Sequence, residues 1–495
     1  MALTEKTADE PQTSLHKGRL GTIGIVFFVV AAAAPLVGMT GAVPVAVVLG
    51  NGAAAPGAYL VVGITLLLFS VGYAAMSQRV TNAGAFFAYI GRGLGRNAGI
   101  ASAFVSILAY LAVQLAIFGF FGGVISGQLG IMPWWAWALV AWVVVTVLSL
   151  LRVDVGAKVL GVLMLCELAA LVVTAIVILA NGGPDGVDFW ASFNPAAILA
   201  GGLAGSAGIA FAFAFASFIG FEATAIYGEE SKNPKKVVPR ATYLAVGVIT
   251  VLFALTAFAM VTGMGAGHAV ETTDKLSNGL ADPAQVLFSL ATQYVGPWMA
   301  TIMSILVLSS LFAGLLAFQN AASRYLFAMG RGGVLPARLG TVNRRGAPST
   351  ASMVTSVISG LVIVIFAIFQ LDPVLNLFFW FSGLAVVAIV LIEILVCVAV
   401  IAYFRKNRGD ENIFQTMIAP VLAVIGLVLG EYLLMSRFGL LAGTVAEGVD
   451  PTAAWGLSPI GWVLILLPFA LLLVGFIISR ARRAVNAEFL RDVLS

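Results

Sequence analysis

The sequence predicts an all-α polytopic membrane protein with twelve transmembrane helices, and three observations carry that prediction. Of its 495 residues, 61% are hydrophobic and only 10% are charged, against about 25% charged in an ordinary soluble domain. Apolar stretches long enough to cross a hydrocarbon core of about 30 Å, at about 1.5 Å per helical residue, recur along the whole chain. Lys and Arg collect in alternate connections, as the positive-inside bias requires. The 54 glycines agree, because Gly is more frequent in membrane helices than in soluble ones. The same numbers disfavour soluble enzymes, nucleic-acid binders and disordered scaffolds.

Residues 1–19 are polar, lack the short apolar segment of a signal peptide, and read as a cytoplasmic tail. Spans are expected near 22–49, 56–78, 97–127, 134–151, 156–180, 199–228, 239–265, 296–328, 348–369, 373–403, 413–436 and 457–480. With the N-terminus inside, 24 of the 26 Lys and Arg residues fall in inside segments, leaving Lys275 and Arg437 outside. Both termini are then cytoplasmic, and residues 481–495 form a second inner tail. Nearly all of these basic residues serve orientation, so the net charge of +4 needs no nucleic-acid partner. Cys166 and Cys397 sit inside apolar runs and read as reduced, buried thiols. His16 and His268 lie far apart in polar segments, so neither a metal site nor a cofactor is indicated.

Two spans carry interruptions. The first contains Pro35, Gly38, Gly41 and Pro44 in the run AAAAPLVGMTGAVP, which predicts a helical break over Ala34 to Met39, since proline removes a backbone donor and clashes with the preceding turn. The sixth, GSAGIAFAFAFASFIGFEATAIYGEE, places Gly220 beside the ionisable Glu222. Breaks in spans one and six point to a five-plus-five internal repeat in which the second unit enters from the opposite side, with a midplane substrate site where the breaks meet. Two ordinary kinks in unrelated helices are the simpler alternative.

Three motifs are familiar. SFIGFEATAIYGEESKNPKKVVPRA runs from Ser217 to Ala241, TNAGAFFAYIGRGLGR from Thr81 to Arg96, and NAASRYLFAMGRGGVLPARLGTVNRRGAPSTA from Asn320 to Ala351. Together and in this order they make the chain resemble the amino acid/polyamine/organocation permease family over about residues 20–480. The resemblance implies a LeuT-like fold: a first inverted repeat over 20–180 (helices 1–5), a second over 181–404 (helices 6–10), and two additional helices over 405–480. It also implies transport of an amino acid or small amine by alternating access. Many members carry a Gly-Ser/Thr-Gly run in the first break, whereas this chain has Ala33, Ala34, Pro35, Leu36, Val37 and Gly38.

Buried carboxyls are costly, so Glu167, Glu222, Glu393 and Glu431 each need an account. Glu167 lies in the middle of the fifth span with no basic residue within a turn; desolvation makes it a candidate proton carrier. The resemblance places it where proton-coupled relatives often carry a lysine. A neutral, hydrogen-bonded structural role is the alternative. Glu222 follows the second break and either links substrate occupancy to gating or satisfies backbone groups freed by the break. Glu393 reads as a helix contact or a second protonation site. Glu431, near Arg437 at the outer end of its helix, is expected to snorkel to water.

The substrate-binding set expected at the two breaks is Ala34, Val37, Gly38 and Met39 with Phe215, Ala216, Phe218 and Ile219. Tyr110 and Gln114, four residues apart on the third span, share a face that either lines the cavity or bonds a neighbouring helix. A substrate carboxylate is expected against the amides of Val37 to Met39, with its ammonium near the carbonyls of Phe215, Ala216 and Ile219. Phe218, nearest the second break, is the expected aromatic gate, with Trp380 as a second. Ser309 and Ser310 in the eighth span raise a sodium site, as in sodium-coupled members of this fold; packing contacts are the commoner role of such serines. The function these features favour is proton-driven uptake of an amino acid or related amine across the cytoplasmic membrane, with a polyamine or ethanolamine-type permease or exchanger, or a sodium symporter, as alternatives. A membrane-embedded lipid-group transferase would need clustered acids or histidines at the surface, which the sequence lacks; a channel fits poorly with breaks that close a midplane site.

Overall fold

A computed structural model describes residues 21–80, 85–151, 155–226, 231–343, 346–407 and 409–481. The N-terminal tail 1–19, all but the first residue of the tail 481–495, Thr81 to Gly84 of the second motif, Tyr227 to Glu230 of the first, Arg152, Arg344, Arg345 and Arg408 lie outside the described residues. Within them the protein is helical throughout, with no strand and one isolated bridge, Val445 to Leu457. The chain is a multi-pass membrane protein: eleven helical stretches are long and apolar enough to cross a bilayer.

The first stretch, Thr22–Arg79, holds 58 residues, about 87 Å of helix if straight and far more than one crossing. It covers both of the first two expected spans. The interruption between them is at Gly50, whose φ −99° and ψ −118° are non-helical, and Gly52, whose φ of +61° favours a residue without Cβ. The other ten stretches coincide with the other ten expected spans. Sequence periodicity did not separate the short helices Ala85–Leu94, Ala269–Leu276 and Ala284–Tyr294 from the connections.

The principal helices are α1 (Thr22–Ala33), α2 (Ala55–Arg79), α3 (Arg96–Leu129), α4 (Trp134–Leu151), α5 (Val155–Asn181), α6 (Ala207–Phe218), α7 (Pro234–Met264), α8 (Pro297–Arg331), α9 (Ser349–Ile368), α10 (Phe379–Lys406), α11 (Ala419–Ser436) and α12 (Pro459–Ala481). Several start with proline in the first turn, where its missing N–H costs nothing. Asp372 caps the turn leading into α10, accepting from the amides of Val374 and Leu375 at 2.8 and 2.7 Å.

Packing rather than amphipathicity sorts these helices. The 18-residue apolar window of α3 is 89% buried and that of the sixth span 94%, whereas α4 and α12 reach only 22% and 28%; the first pair is core and the second faces lipid. Glycine sets the closest approaches, as membrane helices require. A methyl at Gly208 of α6 would collide with the Leu433 backbone of α11, and Gly430 of α11 seats the Phe215 ring 2.6 Å from where its Cβ would be. Cys397 is buried, but Cys166 is exposed on the outer surface of α5, which corrects the expectation that both thiols are internal.

Candidate functional site at the two helix breaks

The first break is sharper than expected. Ala34 alone takes the left-handed conformation, φ 45° and ψ 68°, and helical geometry resumes at Pro35 and runs through Ala42 in part as a π-helix. The rerouting of donors is what opens the site. In a continuous helix, the carbonyls of Ala31, Ala32 and Ala33 would accept from residues 35, 36 and 37. Pro35 has no N–H, the Leu36 amide donates to Glu167 Oε1 at 2.5 Å, and the Val37 amide turns to the Ala34 carbonyl at 2.9 Å. The Ala32 and Ala33 carbonyls thus lose their helical donors at the negative end of α1.

The second break spans Ile219 to Glu222, between α6 and the short helix Ala223–Ile226. Gly220 has φ +119°, and a methyl there would fall 2.9 Å from the Ala32 methyl. The two breaks therefore touch, and glycine is required both by conformation and by that approach. Glu222 is fully buried; its Oε2 accepts from the Gly220 amide at 2.9 Å and its Oε1 from the Tyr110 hydroxyl at 3.0 Å. Tyr73 donates to the Glu222 carbonyl at 2.7 Å. Through the Gly220 bond the carboxyl accepts from a backbone amide of the break itself.

Between the breaks lies a cavity of about 60 Å³, well below the roughly 300–1,000 Å³ of sites that hold drug-sized ligands. Ala34, Val37, Gly38, Ala216 and Ile219 of the expected set line it, joined by Val113, Ile117, Phe213, Phe318, Phe378, Ser217 and Ser382. Met39, Phe215 and Phe218 are buried but do not line it. The reason is helical rotation: at about 100° per residue, Phe213, Ala216 and Ser217 share a face while 215 and 218 point oppositely. Phe215 packs on Gly430, and Phe218 meets Phe253 edge-on with centroids 5.5 Å apart. Trp380 instead donates its indole N–H to the Ala442 carbonyl at 2.7 Å. The amides of Val37 and Gly38, expected to receive a carboxylate, both donate to the Ala34 carbonyl.

Tyr110 and Gln114 diverge. Tyr110 serves Glu222, whereas Gln114 donates to Gln319 Oε1 at 2.7 Å and accepts from Ser359 at 3.3 Å. Gln319 in turn donates to the Ser352 carbonyl and to Ser356 Oγ, each at 2.9 Å. This polar cluster ties α3, α8 and α9 together. Of the lining residues missed from sequence, Val113 and Ile117 follow Tyr110 at helical spacing, so for these two the periodicity that singled out the tyrosine was the available signal.

Glu167 Oε1 also accepts from Ser310 Oγ at 2.9 Å, so one buried carboxyl bridges the first break, α5 and α8. Ser309 bonds its own helix, donating to the Leu306 carbonyl at 2.8 Å. Glu431, expected to reach water beside Arg437, is instead buried, with both carboxyl oxygens lacking a hydrogen-bond partner, while Arg437 donates to the Gly205 carbonyl at 3.1 Å.

Residues 24–484 match the family model described as amino acid permease. The chain is 27% identical to the branched-chain amino acid permease BcaP of Lactococcus lactis, over 75% of this chain and 79% of that one. It is 24% identical to the amino-acid permease GAP5 of Candida albicans, over 79% of this chain and 63% of the other. Identity to the histidine permease of Saccharomyces cerevisiae is 23%, over 69% of this chain and 57% of the yeast protein. The matches thus span less than two thirds of the two fungal proteins. These relatives are named as permeases rather than enzymes, and with a family model covering almost its whole length, the chain belongs to the amino acid permease family.

Proposed function

We propose that this protein carries an amino acid with an apolar side chain across the cytoplasmic membrane by alternating access, coupled to protons. The observation that carries the reading is the meeting of two broken helices at a small, mostly apolar cavity, with a buried carboxyl holding the first break. Thr22–Arg79 is read as two crossings, giving twelve in all, both termini cytoplasmic, in two inverted five-helix units followed by α11 and α12. Non-helical backbone at this depth is tolerated where it lines a cavity, and transporter sites of this kind lie at repeat interfaces.

The Ala32 and Ala33 carbonyls, freed at the negative end of α1, favour the substrate ammonium. Its carboxylate lies toward Ser217 and Ser382. Val113, Ile117, Phe213, Phe318 and Phe378 suit an aliphatic side chain. The cavity is narrow, so loading requires the walls to part. Glu167 then acts as the proton-coupling group: when it gains or loses its proton, the strength of its hold on Leu36 and Ser310 changes, and with it the balance between open and closed arrangements. Glu222 answers to the second break in the same way through Gly220 and Tyr110.

Proteoliposomes loaded at one pH and diluted into another, assayed with each of the twenty amino acids with and without sodium, test this. Accumulation of aliphatic amino acids driven by an inward proton gradient and indifferent to sodium is expected. Accumulation of no amino acid under either gradient, or a strict sodium requirement, overturns the reading.

A further inference from the structure

Two buried acids lie outside the site described above. Glu393 sits in the middle of α10, 2% exposed, with Oε2 lacking any hydrogen-bond partner. Glu431 lies on α11, 7% exposed, with neither carboxyl oxygen partnered. An ionised carboxyl without a donor is among the costliest groups to bury, whereas the acid that keeps its proton is not. Side chains serving only as helix contacts would be bonded across the interface, as Gln114 and Gln319 are.

Their placement is ordered. Glu393 is carried by α10, which packs against both α6 and α11, and the thiol of Cys397 lies one turn away from it on α10. No basic side chain is paired with either acid among the described residues. The Gly208 and Gly430 contacts hold α11 against α6, so Glu431 stands beside the outer half of the broken helix. Counting about 1.5 Å per residue, Glu393 is about 20 Å from Lys406 at the inner end of α10, and Glu431 about 26 Å from Phe414 at the inner end of the α11 stretch. By this count Glu431 stands farther along its stretch from the inner end than Glu393 does along α10, and Glu222 follows the break after α6.

We propose that Glu431, Glu393 and Glu222 form a file of proton-carrying carboxyls through the interior of α6, α10 and α11, joining the outer half of the membrane to the second helix break. This rests on the proton-coupled reading above. Each step passes one proton from a neutral carboxyl to the carboxylate of the next, so no other reactant is consumed. Glu393 and Glu431 touch no substrate in this scheme; they supply the proton that Glu222 uses. The file is separate from Glu167, which lies across the cavity on α5.

The test uses the full protein in proteoliposomes and whichever of the twenty amino acids gives the highest uptake. Glu393→Gln and Glu431→Gln keep the side-chain shape but cannot carry a proton. Each is expected to lower proton-gradient-driven accumulation by about tenfold or more, while counterflow of labelled for unlabelled substrate stays within about twofold of wild type. Infrared spectra of the purified variants are expected to lose, one each, the hydrogen/deuterium-sensitive carbonyl band of a protonated carboxyl. If the wild type ignores the proton gradient, the coupled reading itself fails and the file with it. If the wild type is gradient-driven and both variants match it, or if neither variant loses its carboxyl band, the file alone is overturned. A variant that loses counterflow as well is judged on its infrared band, which needs no transport.

Discussion

Leu36 gives its amide hydrogen to Glu167, 131 positions away in sequence, at 2.5 Å, in place of the Ala32 carbonyl that an unbroken helix would have offered. The carboxyl thus stands in for a turn of helix, and in the proposed coupling a proton gained or lost there acts directly on the backbone of the break. Glu167→Gln keeps an acceptor oxygen and is expected to retain substrate-induced thermal stabilisation within about twofold in apparent affinity, while abolishing acceleration of uptake by a proton gradient. Glu167→Ala leaves the Leu36 amide and the Ser310 hydroxyl without an acceptor and is expected to cost about 1–3 kcal/mol in stability. Melting of the purified proteins and uptake at stepped external pH check both.

Gly220 and Gly38 are both glycines at the site, yet they predict different tolerance. At Gly220 an added methyl meets the Ala32 methyl at 2.9 Å in a backbone conformation of φ +119°; at Gly38 it meets the Ser217 hydroxyl at 3.2 Å. Gly220→Ala is expected to abolish uptake, with a conformational cost of about 1–2 kcal/mol for the left-handed geometry plus the clash. Gly38→Ala is expected to fold and to weaken substrate binding modestly. Melting curves alongside uptake separate the two.

Phe213 lines the cavity, whereas Phe218 packs behind α6 against Phe253. Phe213→Ala is expected to admit larger side chains, read as a shift in the ranking of amino acids that compete for uptake. Phe218→Ala is expected to leave that ranking intact and to lower stability by about 3–5 kcal/mol, the usual cost of truncating a buried ring.

Gln114 belongs to the α3–α8–α9 cluster, so Gln114→Leu is expected to reduce stability by about 1–3 kcal/mol, because Gln319 and Ser359 lose a partner. Its KM is expected to stay within about twofold of wild type. A large KM change at unchanged stability would return Gln114 to the cavity.

Arg79 and Glu411 form two parallel bonds, Nε to Oε1 at 2.7 Å and an NH2 nitrogen to Oε2 at 2.8 Å. The guanidinium holds the Glu411 carboxyl below its usual range. A depressed carboxyl stabilises the fold above its unfolded titration range and loses that contribution as pH falls through its lowered value. Because Arg79 is 40% exposed, solvent screening limits the pair to below about 1 kcal/mol. Thermal melts are expected to show a small deficit for Glu411→Gln near neutrality that closes on acidification.

The spans were legible because each needs some twenty apolar residues and little else, which composition reveals directly. The break positions were legible through Pro35 and Gly220, whose backbone constraints are local. What the sequence did not disclose is rotation about each helix axis in a chain apolar on every side: without a polar face, nothing local tells Phe213 from Phe218. Partners were hidden for the same reason. The Leu36 to Glu167 bond, the Gln114 to Gln319 bond and the solitude of Glu431 all depend on which helices pack together, and only the tertiary structure decides that.

The two glycine contacts between α6 and α11 have a mechanical consequence. α11 follows the two proposed repeats, yet it bears on α6 with backbone against backbone at Gly208 and Leu433, and ring against glycine at Phe215 and Gly430. Interlocked at two levels, α6 cannot tilt freely: it must carry α11 along or slide lengthwise on it as on a rail. In the proposed alternating-access cycle, α11 would therefore set the direction of travel of α6 about Gly220.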